Sequence, residues 1–543
     1  VPPAAGSGTL DRPPAAAEAA LPARRRRRGP WRTLLAAAGG LLLLFAFPAW
    51  SLWELAPLGP AALALAVHRQ RARAGAWLGL VFGLCFFVPL LSWSGVFVGA
   101  FPWLALATSQ AVFLAALGAA TAAVGRLPGW PLWTAALWVA AEALRGRLPL
   151  GGFPWGRLGF SQTEGPFLAL AAYGGVPLVG FAVALTGTLL AAAVLRLTRR
   201  GARRGPRVRG ALACLAGAVA VPLLGGLAWL PLPGAALTAG GPTRTVAVVQ
   251  GDVPQPGLEF NERRRAVLDN HVTRTLELAD AVAAGEQPQP DLVVWPENSS
   301  DIDPYRNADA AAQISRAARA VGAPILVGAV VDGPGRFVSN TGIVWDPATG
   351  PGETYVKRHP VPLAEYVPAR GFFRVFSDQV DLVRRDFTAG TEVGLLDVGG
   401  ARVGDVICFE VVYDGLVRDV VRAGAGMVVV QTNNATFGYT DESAQQLAAG
   451  RVRAVEFGRT VAVASTSGIS ALIAPDGSLV ARSGLYQPAV FVAEVAQRDS
   501  TTLAERLGAV PEWTLGALGA GALLAVAVPG TARRGTARRR RGR

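Results

Sequence analysis

The chain has 543 residues, 51% of them hydrophobic and only 17% charged, with a mean hydropathy of +0.35. That balance excludes an ordinary soluble domain and favours an integral membrane protein of more than one domain. The net charge of +14 does not point to nucleic acid, because the arginine runs sit beside apolar segments and no basic–aromatic interleave occurs.

Residues 1–30 read as a disordered, basic cytoplasmic tail, rich in Ala and Pro and ending in the Arg24–Arg28 block. An apolar run follows. It has the basic start of a signal peptide but no small-residue cleavage site, and more runs follow, so an uncleaved first span is expected. The apolar runs are 33–49, 52–67, 75–92, 97–124, 130–145, 166–197, 210–230 and 513–530. Most approach the ~20 residues that a spanning helix needs. The run at 52–67 is short and holds Pro57 and Pro60.

About seven spans in a domain at 31–232, and one more at 513–530, leave both termini on one side. Arg69, Arg71 and Arg73 follow the second run, Arg126 the fourth, Arg199–Arg209 the sixth and Arg533–Arg541 the eighth. All fall on the side of Arg24–Arg28. The positive-inside rule then makes 531–543 a basic cytoplasmic tail and puts 231–512 on the extracytoplasmic side of the cell membrane. One outer loop, Gly151-Gly-Phe-Pro-Trp155-Gly-Arg157, carries aromatics that read as interfacial anchors or as the lining of a lipid access site.

From 243 to about 500 the pattern changes to short β-branched runs alternating with helical stretches. Strands are predicted at Thr245–Gln250, Leu292–Trp295, Ile325–Val331, Gly342–Trp345, Val393–Val398, Val403–Cys408, Met427–Gln431, Val461–Ser465, Ala471–Ile473 and Val490–Val495. Helices are predicted at 261–284, 308–321, 412–423 and 443–457. The alternation implies an α/β domain with buried sheets.

Three places in that domain carry chemistry. Asp291-Leu-Val-Val-Trp-Pro-Glu297 is a buried strand ending in a carboxylate, and strand ends are where α/β folds place ligand groups. Lys357 is the only lysine in the chain, so the other 51 of the 52 basic residues are arginine. Lysine differs from arginine where a compact ammonium must come close to a reacting atom. Cys408 ends another strand, with Glu410 two residues on and a helix expected near Val412–Tyr413. A helix N-terminus acidifies a thiol. Cys85 and Cys214 lie in apolar runs and read as core residues. No CxxC pair and no metal-ligand spacing occur, so neither a metal nor a cofactor is expected.

The roles divide with Cys408 as nucleophile, Glu297 as base and Lys357 as the cation for a developing oxyanion. His359 competes as base. It would share a face with Lys357 only if the strand continued through Pro360 and Pro362. The turn Thr432-Asn433-Asn434-Ala-Thr436-Phe-Gly can supply amides or backbone donors. The segment Tyr366–Phe387, with Phe372, Phe373 and Phe376 near Arg370 and Arg374, reads as a mobile lid that dips into lipid. Pro368 and Gly371 disfavour a regular helix there.

In this order the three segments resemble the nitrilase superfamily, whose Glu-Lys-Cys triad sits in an αββα sandwich. With about eight spans around it, the chain is similar to the bacterial apolipoprotein N-acyltransferases over about 31–530. The marks are Lys357-Arg-His-Pro-Val-Pro-Leu-Ala-Glu365-Tyr-Val-Pro, Cys408-Phe-Glu410, Thr432-Asn-Asn-Ala-Thr-Phe-Gly and Gly152-Phe-Pro-Trp155. The resemblance implies a triad of Glu297, Lys357 and Cys408, supported by Glu365 and Glu410. Trp155, Asn433, Asn434, Phe372 and Phe373 become substrate-binding candidates. It also implies a phospholipid acyl donor, a diacylglyceryl apolipoprotein as acceptor, and a Cys thioester between them. Phe409 stands where the family often has Tyr, Thr436 where an aromatic is common, and Pro360 where Leu is frequent. These departures bear on the shape of the acyl pocket. Two rivals use the same residues differently: a membrane-tethered nitrilase or amidase that hydrolyses a small amide or nitrile, and a non-catalytic membrane scaffold with a vestigial nitrilase fold.

Overall fold

The computed structural model describes residues 30–199, 204–253 and 264–527. The two expected tails, apart from Pro30, lie outside the described residues, as do the start of the 261–284 helix and the end of the 513–530 run.

The apolar runs of the N-terminal part form α1 (Trp31–Phe45), α2 (Leu58–Val67), α3 (Ala72–Leu90), α4 (Ala100–Val124), α5 (Trp130–Arg145), α6 (Ala171–Leu197) and α7 (Arg204–Leu227). The run at 52–67 yields a 3₁₀ turn at Trp53–Leu55 and a helix of only 10 residues, with Pro57 at its N-cap and Pro60 in its first turn. Among the described residues, five helices are long and apolar enough to cross a membrane: α3, α4, α7, the helix ending at Leu197 and a last one at Val510–Ala527. Close packing of α3 on α4 is written in Gly75, Gly79 and Gly83. A Cβ on Gly75 would lie 2.4 Å from the Gly118 carbonyl, and one on Gly79 would lie 2.1 Å from that of Leu114. Small residues at a spacing of four let two backbones touch, which is how apolar helices gain contact where lipid gives no hydrophobic drive.

The remainder runs β1 (Thr243–Gln250), α8 (Arg264–Ala283), β2 (Leu292–Val294), α9 (Ala308–Val321), β3 (Ile325–Asp332), β4 (Val338–Asp346), β5 (Gly350–Val356), α10 (Arg370–Arg374), β6 (Leu395–Val398), β7 (Ala401–Ile407), α11 (Asp414–Arg422), β8 (Met427–Thr432), α12 (Glu442–Phe457), β9 (Val461–Ser465), β10 (Ala471–Ile473), β11 (Leu479–Arg482), β12 (Ala489–Ala496), α13 (Leu503–Leu507) and α14 (Val510–Ala527). Two six-stranded sheets result, ordered β12-β1-β2-β3-β4-β5 and β11-β10-β9-β8-β7-β6. β1, β2 and β3 are parallel, as are β7, β8 and β9; the other pairings are antiparallel.

Period-two alternation assigns each strand residue to a layer. Val246, Val248, Leu292, Val294, Val403, Ile407, Met427 and Val429 fill the space between the sheets. Ala247, Val249 and Val293 face outward onto α8 and α9. Val406, Val428 and Val430 face the other way, into a cluster continuous with α12 and with the N-terminal helices. The domain is therefore an α/β sandwich with helices outside both sheets, and one of its outer layers is shared with the apolar helices. Gly175 in α6, at φ +67°, marks one close approach: a Cβ there would meet Glu456 Oε1 of α12 at 2.6 Å.

The structure corrects several expectations. β5 and β11 went unread. Both lie at or beside the sheet margins, and their burial patterns lack a sustained apolar face. β4 begins at Val338, ahead of the expected Gly342. The helix expected at 412–423 is a 3₁₀ turn at Cys408–Val412 followed by α11. Within Tyr366–Phe387 there are one turn of α-helix, α10, which includes Gly371, and a 3₁₀ turn at Asp378–Leu382. Pro368 lies outside α10, and Ala369 at φ +46° starts it.

Candidate active site

Glu297, Lys357 and Cys408 come from three strand ends. β2 stops at Val294, and Pro296 cannot extend its ladder, so the chain turns and Glu297 leaves the sheet. The neighbouring strand makes room. A Cβ on Gly328 of β3 would fall 2.2 Å from the Pro296 carbonyl and 2.7 Å from Glu297 Cα. β5 stops at Val356. Lys357 is then clamped by its backbone, its N–H donating to the Asn340 carbonyl at 2.9 Å and its carbonyl accepting from Gly390 N–H at 2.9 Å. β7 stops at Ile407, and Cys408 sits at φ +57° as the first residue of the 3₁₀ turn. A left-handed non-glycine residue between a strand and a turn is strained, and such strain clusters at functional sites.

The side chains meet under cover. Lys357 is 1% exposed, and its Nζ donates to Glu297 Oε1 and to Glu365 Oε1, each at 3.0 Å. Asn340 Nδ2 repeats the pattern, donating to Glu297 Oε1 at 2.5 Å and Glu365 Oε1 at 3.1 Å. Glu297 Oε2 accepts the Asn433 backbone N–H at 2.8 Å, and Glu365 Oε2 accepts that of Val361 at 2.6 Å. Burial works against the charge on Lys357, but Glu297 and Glu365 overcome it and hold the ammonium well above the usual lysine range.

Glu410 is wholly buried and ties the cysteine and lysine segments together. Its carboxylate accepts from Ile407 N–H at 2.8 Å, Arg358 N–H at 2.8 Å, His359 N–H at 3.0 Å and the Tyr355 hydroxyl at 2.9 Å. Burial still raises its pKa above the ordinary carboxylate value, against these donors and Lys357.

One electrostatic expectation is overturned. A turn does begin at Cys408, yet the thiol is not acidified. Burial pushes it up, Glu297 adds to the effect, and Lys357 opposes it. The turn's few N–H groups are a small effect beside desolvation. Gln446 Nε2 lies 3.7 Å from Cys408 Sγ. The competing base, His359, is outside the strand. Its ring packs on Tyr413 with centroids 4.1 Å apart.

Trp155 is buried at 2% exposure. It stacks on Phe409, the residue after Cys408, with centroids 5.3 Å apart and planes 5° from parallel, and it donates to Gln445 Oε1 at 2.6 Å. Asn433 contributes its backbone to Glu297, while its side-chain oxygen accepts from Thr466 at 2.9 Å. Asn434 is consumed by the frame: it donates to Glu442 and Gln446 at 2.7 and 2.8 Å and accepts from Ser465 at 2.8 Å. Phe372 and Phe373 are not brought to the carboxylates. They pack edge-to-face on each other at 5.3 Å in α10, with Phe372 61% exposed. Asn340, Tyr355, Gln446 and Gly328 escaped the sequence reading. Tyr355 alone offered a signal, lying two residues from Lys357.

The loop after Cys408 is bound to the helical domain. Asp414 accepts from Arg157 at 2.8 Å and from Arg453 at 2.7 Å, and the Tyr413 hydroxyl donates to the Gly152 carbonyl at 2.9 Å. Burial alone would raise the Asp414 pKa, yet the two guanidiniums hold it well below the usual carboxylate range.

Two stacked sheets with an acid, an amine and a thiol at their strand ends define a carbon–nitrogen hydrolase domain, here fused to apolar helices. A family model described as carbon-nitrogen hydrolase matches residues 245–505, and one described as the apolipoprotein N-acyltransferase N-terminal domain matches residues 39–189. A protein of Mycolicibacterium smegmatis named apolipoprotein N-acyltransferase is 46% identical over 512 residues, covering 92% of this chain and 86% of its own. Proteins of that name from Azotobacter vinelandii and Pseudomonas paraeruginosa are 34% and 32% identical, covering 85% and 84% of this chain and 88% of each of theirs. The chain belongs to the apolipoprotein N-acyltransferase family and is an N-acyltransferase.

Proposed function

We propose that the chain moves an acyl group from a membrane phospholipid to the N-terminal amine of an S-diacylglyceryl-cysteine on an apolipoprotein, through a thioester on Cys408. The observation that carries this reading is the Glu297–Lys357–Glu365–Asn340 hydrogen-bond cluster, in which the buried Glu297 and Lys357 act on the Cys408 thiol. Burial raises the thiol's pKa, so deprotonation is placed in the same step as attack. Glu297 takes the proton as Sγ bonds to the ester carbonyl carbon. Lys357, which keeps its charge, faces the developing oxyanion. Collapse breaks the C–O bond, and Glu297 returns the proton to the leaving lysophospholipid. The acceptor amine then attacks the thioester and gives its proton to Glu297, and as the C–S bond breaks Glu297 passes that proton to the sulfur, restoring the thiol. Excluding water favours the amine over hydrolysis, which separates this reading from a tethered amidase.

The apolar helices are read as eight spans in the cell membrane, with residues 231–512 extracytoplasmic, on the strength of the arginine clusters. The exposed Phe372, Val375 and Phe376 beside Arg370 and Arg374 support a lid that meets lipid. The test is incubation with a labelled-acyl phospholipid, followed by mass spectrometry of the Cys408 peptide and addition of a lipopeptide amine. A hydroxylamine-sensitive adduct on Cys408, absent in Cys408→Ala and discharged by the amine, is expected. An adduct on Cys85 or Cys214 instead would defeat the assignment.

A further inference from the structure

The layer between the two sheets is apolar around two polar side chains that the mechanism above does not use. Asp405 lies on β7 between Val403 and Ile407, both of which face that layer, and is in register with Val429 of β8. Gln431 of β8 is in register with Ile407. Both Asp405 and Gln431 are 0% exposed. Across the gap stands Gly342 of β4. A Cβ there would lie 2.3 Å from Asp405 Oδ2 and 3.0 Å from Gln431 Oε1, so both oxygens border the same small space.

The hydrogen-bond inventory of that space is lopsided. Among the described residues, neither carboxyl oxygen of Asp405 has a partner, and neither has Gln431 Oε1. The amide nitrogen of Gln431 is committed across the layer to the first sheet, donating to the Trp295 carbonyl at 2.5 Å and that of Leu326 at 3.3 Å. Two buried acceptors, Asp405 Oδ2 and Gln431 Oε1, therefore border one gap without a donor among the described residues. A buried polar group without a partner is costly, and an ionised one far more so. A single proton on Asp405 supplies the missing donor.

We propose that Asp405 is a permanently neutral acid whose hydroxyl donates to Gln431 Oε1, forming an inter-sheet latch that positions Glu297. Burial, with the charges of Glu410 and Glu297 adding to it, independently holds the acid well above the ordinary aspartate range. The Tyr355 hydroxyl, which donates to Glu410 at 2.9 Å, is the neighbouring titratable group. The latch fixes the orientation of the Gln431 amide. Its nitrogen end anchors Trp295, two residues before Glu297, and its backbone leads through Thr432 to the Asn433 N–H on Glu297 Oε2. Two of the features that place Glu297, the Trp295 anchor and the Asn433 N–H, thus run through Gln431, beside the contacts from Lys357 and Asn340. Asp405 touches no substrate here; it is a positioning residue, and its effect on rate rests on the acyl-transfer reading above.

Isosteric and apolar replacements should then behave differently. In Asp405→Asn the carboxamide donates to Gln431 Oε1 as the acid did, so single-turnover acylation of Cys408 is expected within about threefold of wild type. In Asp405→Leu the donor is gone, and kcat is expected to fall at least about tenfold with KM for the phospholipid unchanged. A second, activity-independent measurement is the infrared C=O band of a protonated carboxyl group at pH 8, which is expected to lose intensity in Asp405→Asn. Loss of activity in Asp405→Asn as deep as in Asp405→Leu would overturn the proposal, since it would mean that a charged carboxylate is needed. So would an unchanged infrared band, or full activity in Asp405→Leu. If wild type forms no Cys408 adduct, the acyl-transfer reading fails, and the infrared comparison still decides the protonation of Asp405. That comparison also decides it if Asp405→Leu does not fold.

Discussion

Replacing Lys357 by arginine keeps the charge and tests whether the geometry matters. Nζ sits 3.0 Å from both Glu297 Oε1 and Glu365 Oε1, and the same two oxygens already accept from Asn340. The side chain is 1% exposed and pinned between those two oxygens. A guanidinium is planar and spreads its donors over a wider fork than an ammonium. Seating it between the two carboxylates requires one of them to move by about 1 Å, and such a misplacement costs about 10²-fold in rate. Two decades correspond to about 2.7 kcal/mol of transition-state stabilisation. Lys357→Met, which removes the cation, is expected to be worse, because it leaves the buried Glu297 and the half-buried Glu365 without a counter-charge. The assay is single-turnover formation of the Cys408 adduct from a labelled phospholipid, beside a melting curve for each variant. An arginine variant that acylates at near wild-type rate would refute the reasoning and make the lone lysine an accident of composition.

Glu410→Gln replaces an acceptor of four donors by a group with one acceptor end, leaving a buried N–H unpaired at a cost of about 1–3 kcal/mol. A lower melting temperature and slower Cys408 acylation are both expected; normal values for both would remove Glu410 from the frame. Glu442 is pushed up to about 8 by burial, so it binds a proton in the folded state that it would release unfolded near neutral pH. Its contribution to stability is full below the ordinary carboxylate range and is lost as pH rises through about 8. The melting temperature should therefore fall from about pH 6 to about pH 9 less steeply in Glu442→Gln, and equal slopes would contradict this. Gly335→Cys and Gly205→Cys mark opposite sides of the membrane in the eight-span reading. An impermeant thiol reagent applied to spheroplasts should label the first alone, and the reverse pattern would overturn the topology. Replacing Phe372 and Phe373 by Asp should block acylation from bilayer phospholipid while a short-chain soluble ester still acylates Cys408. Equal loss with both donors and a lowered melting temperature would make the rings part of the core.

The parts of the site that could be read in the sequence are those at chain ends of regular elements. Glu297 follows an apolar run stopped by proline, Cys408 follows another, and Lys357 stands out by being alone. The parts that could not be read act from strand interiors. Asn340 reaches a glutamate 43 residues away, and nothing in the sequence around either says so. Gln431 and Asp405 look like polar interruptions of apolar strands, and only the stacking of two sheets gives them a shared space. β5 was missed for the converse reason. Its four consecutive exposed residues, Pro351, Gly352, Glu353 and Thr354, leave no apolar alternation to detect. The thiol was misjudged because a rule about a local turn was applied where burial, a property of the whole fold, dominates.

The same contrast bears on how the two domains cooperate. Charged side chains are rarely fully buried unless paired. Arg157 and Arg453 are both buried, and both end on Asp414, six residues after Cys408. Arg157 comes from the loop between α5 and α6, and Arg453 comes from α12. Removing one partner of such a network leaves an uncompensated charge, so the geometry is enforced more strictly than apolar packing alone would do. Trp155 on Phe409 and Tyr413 on Gly152 add contacts from the same loop to the same turn. The strained residue that carries the thiol is thus held from two sides, by the Glu410 carboxylate within its own domain and by the 152–157 loop of the other. The turn that follows the nucleophile is thus built jointly by the α/β domain and the 152–157 loop, so a change in that loop is transmitted toward Cys408 through Phe409, Tyr413 and Asp414.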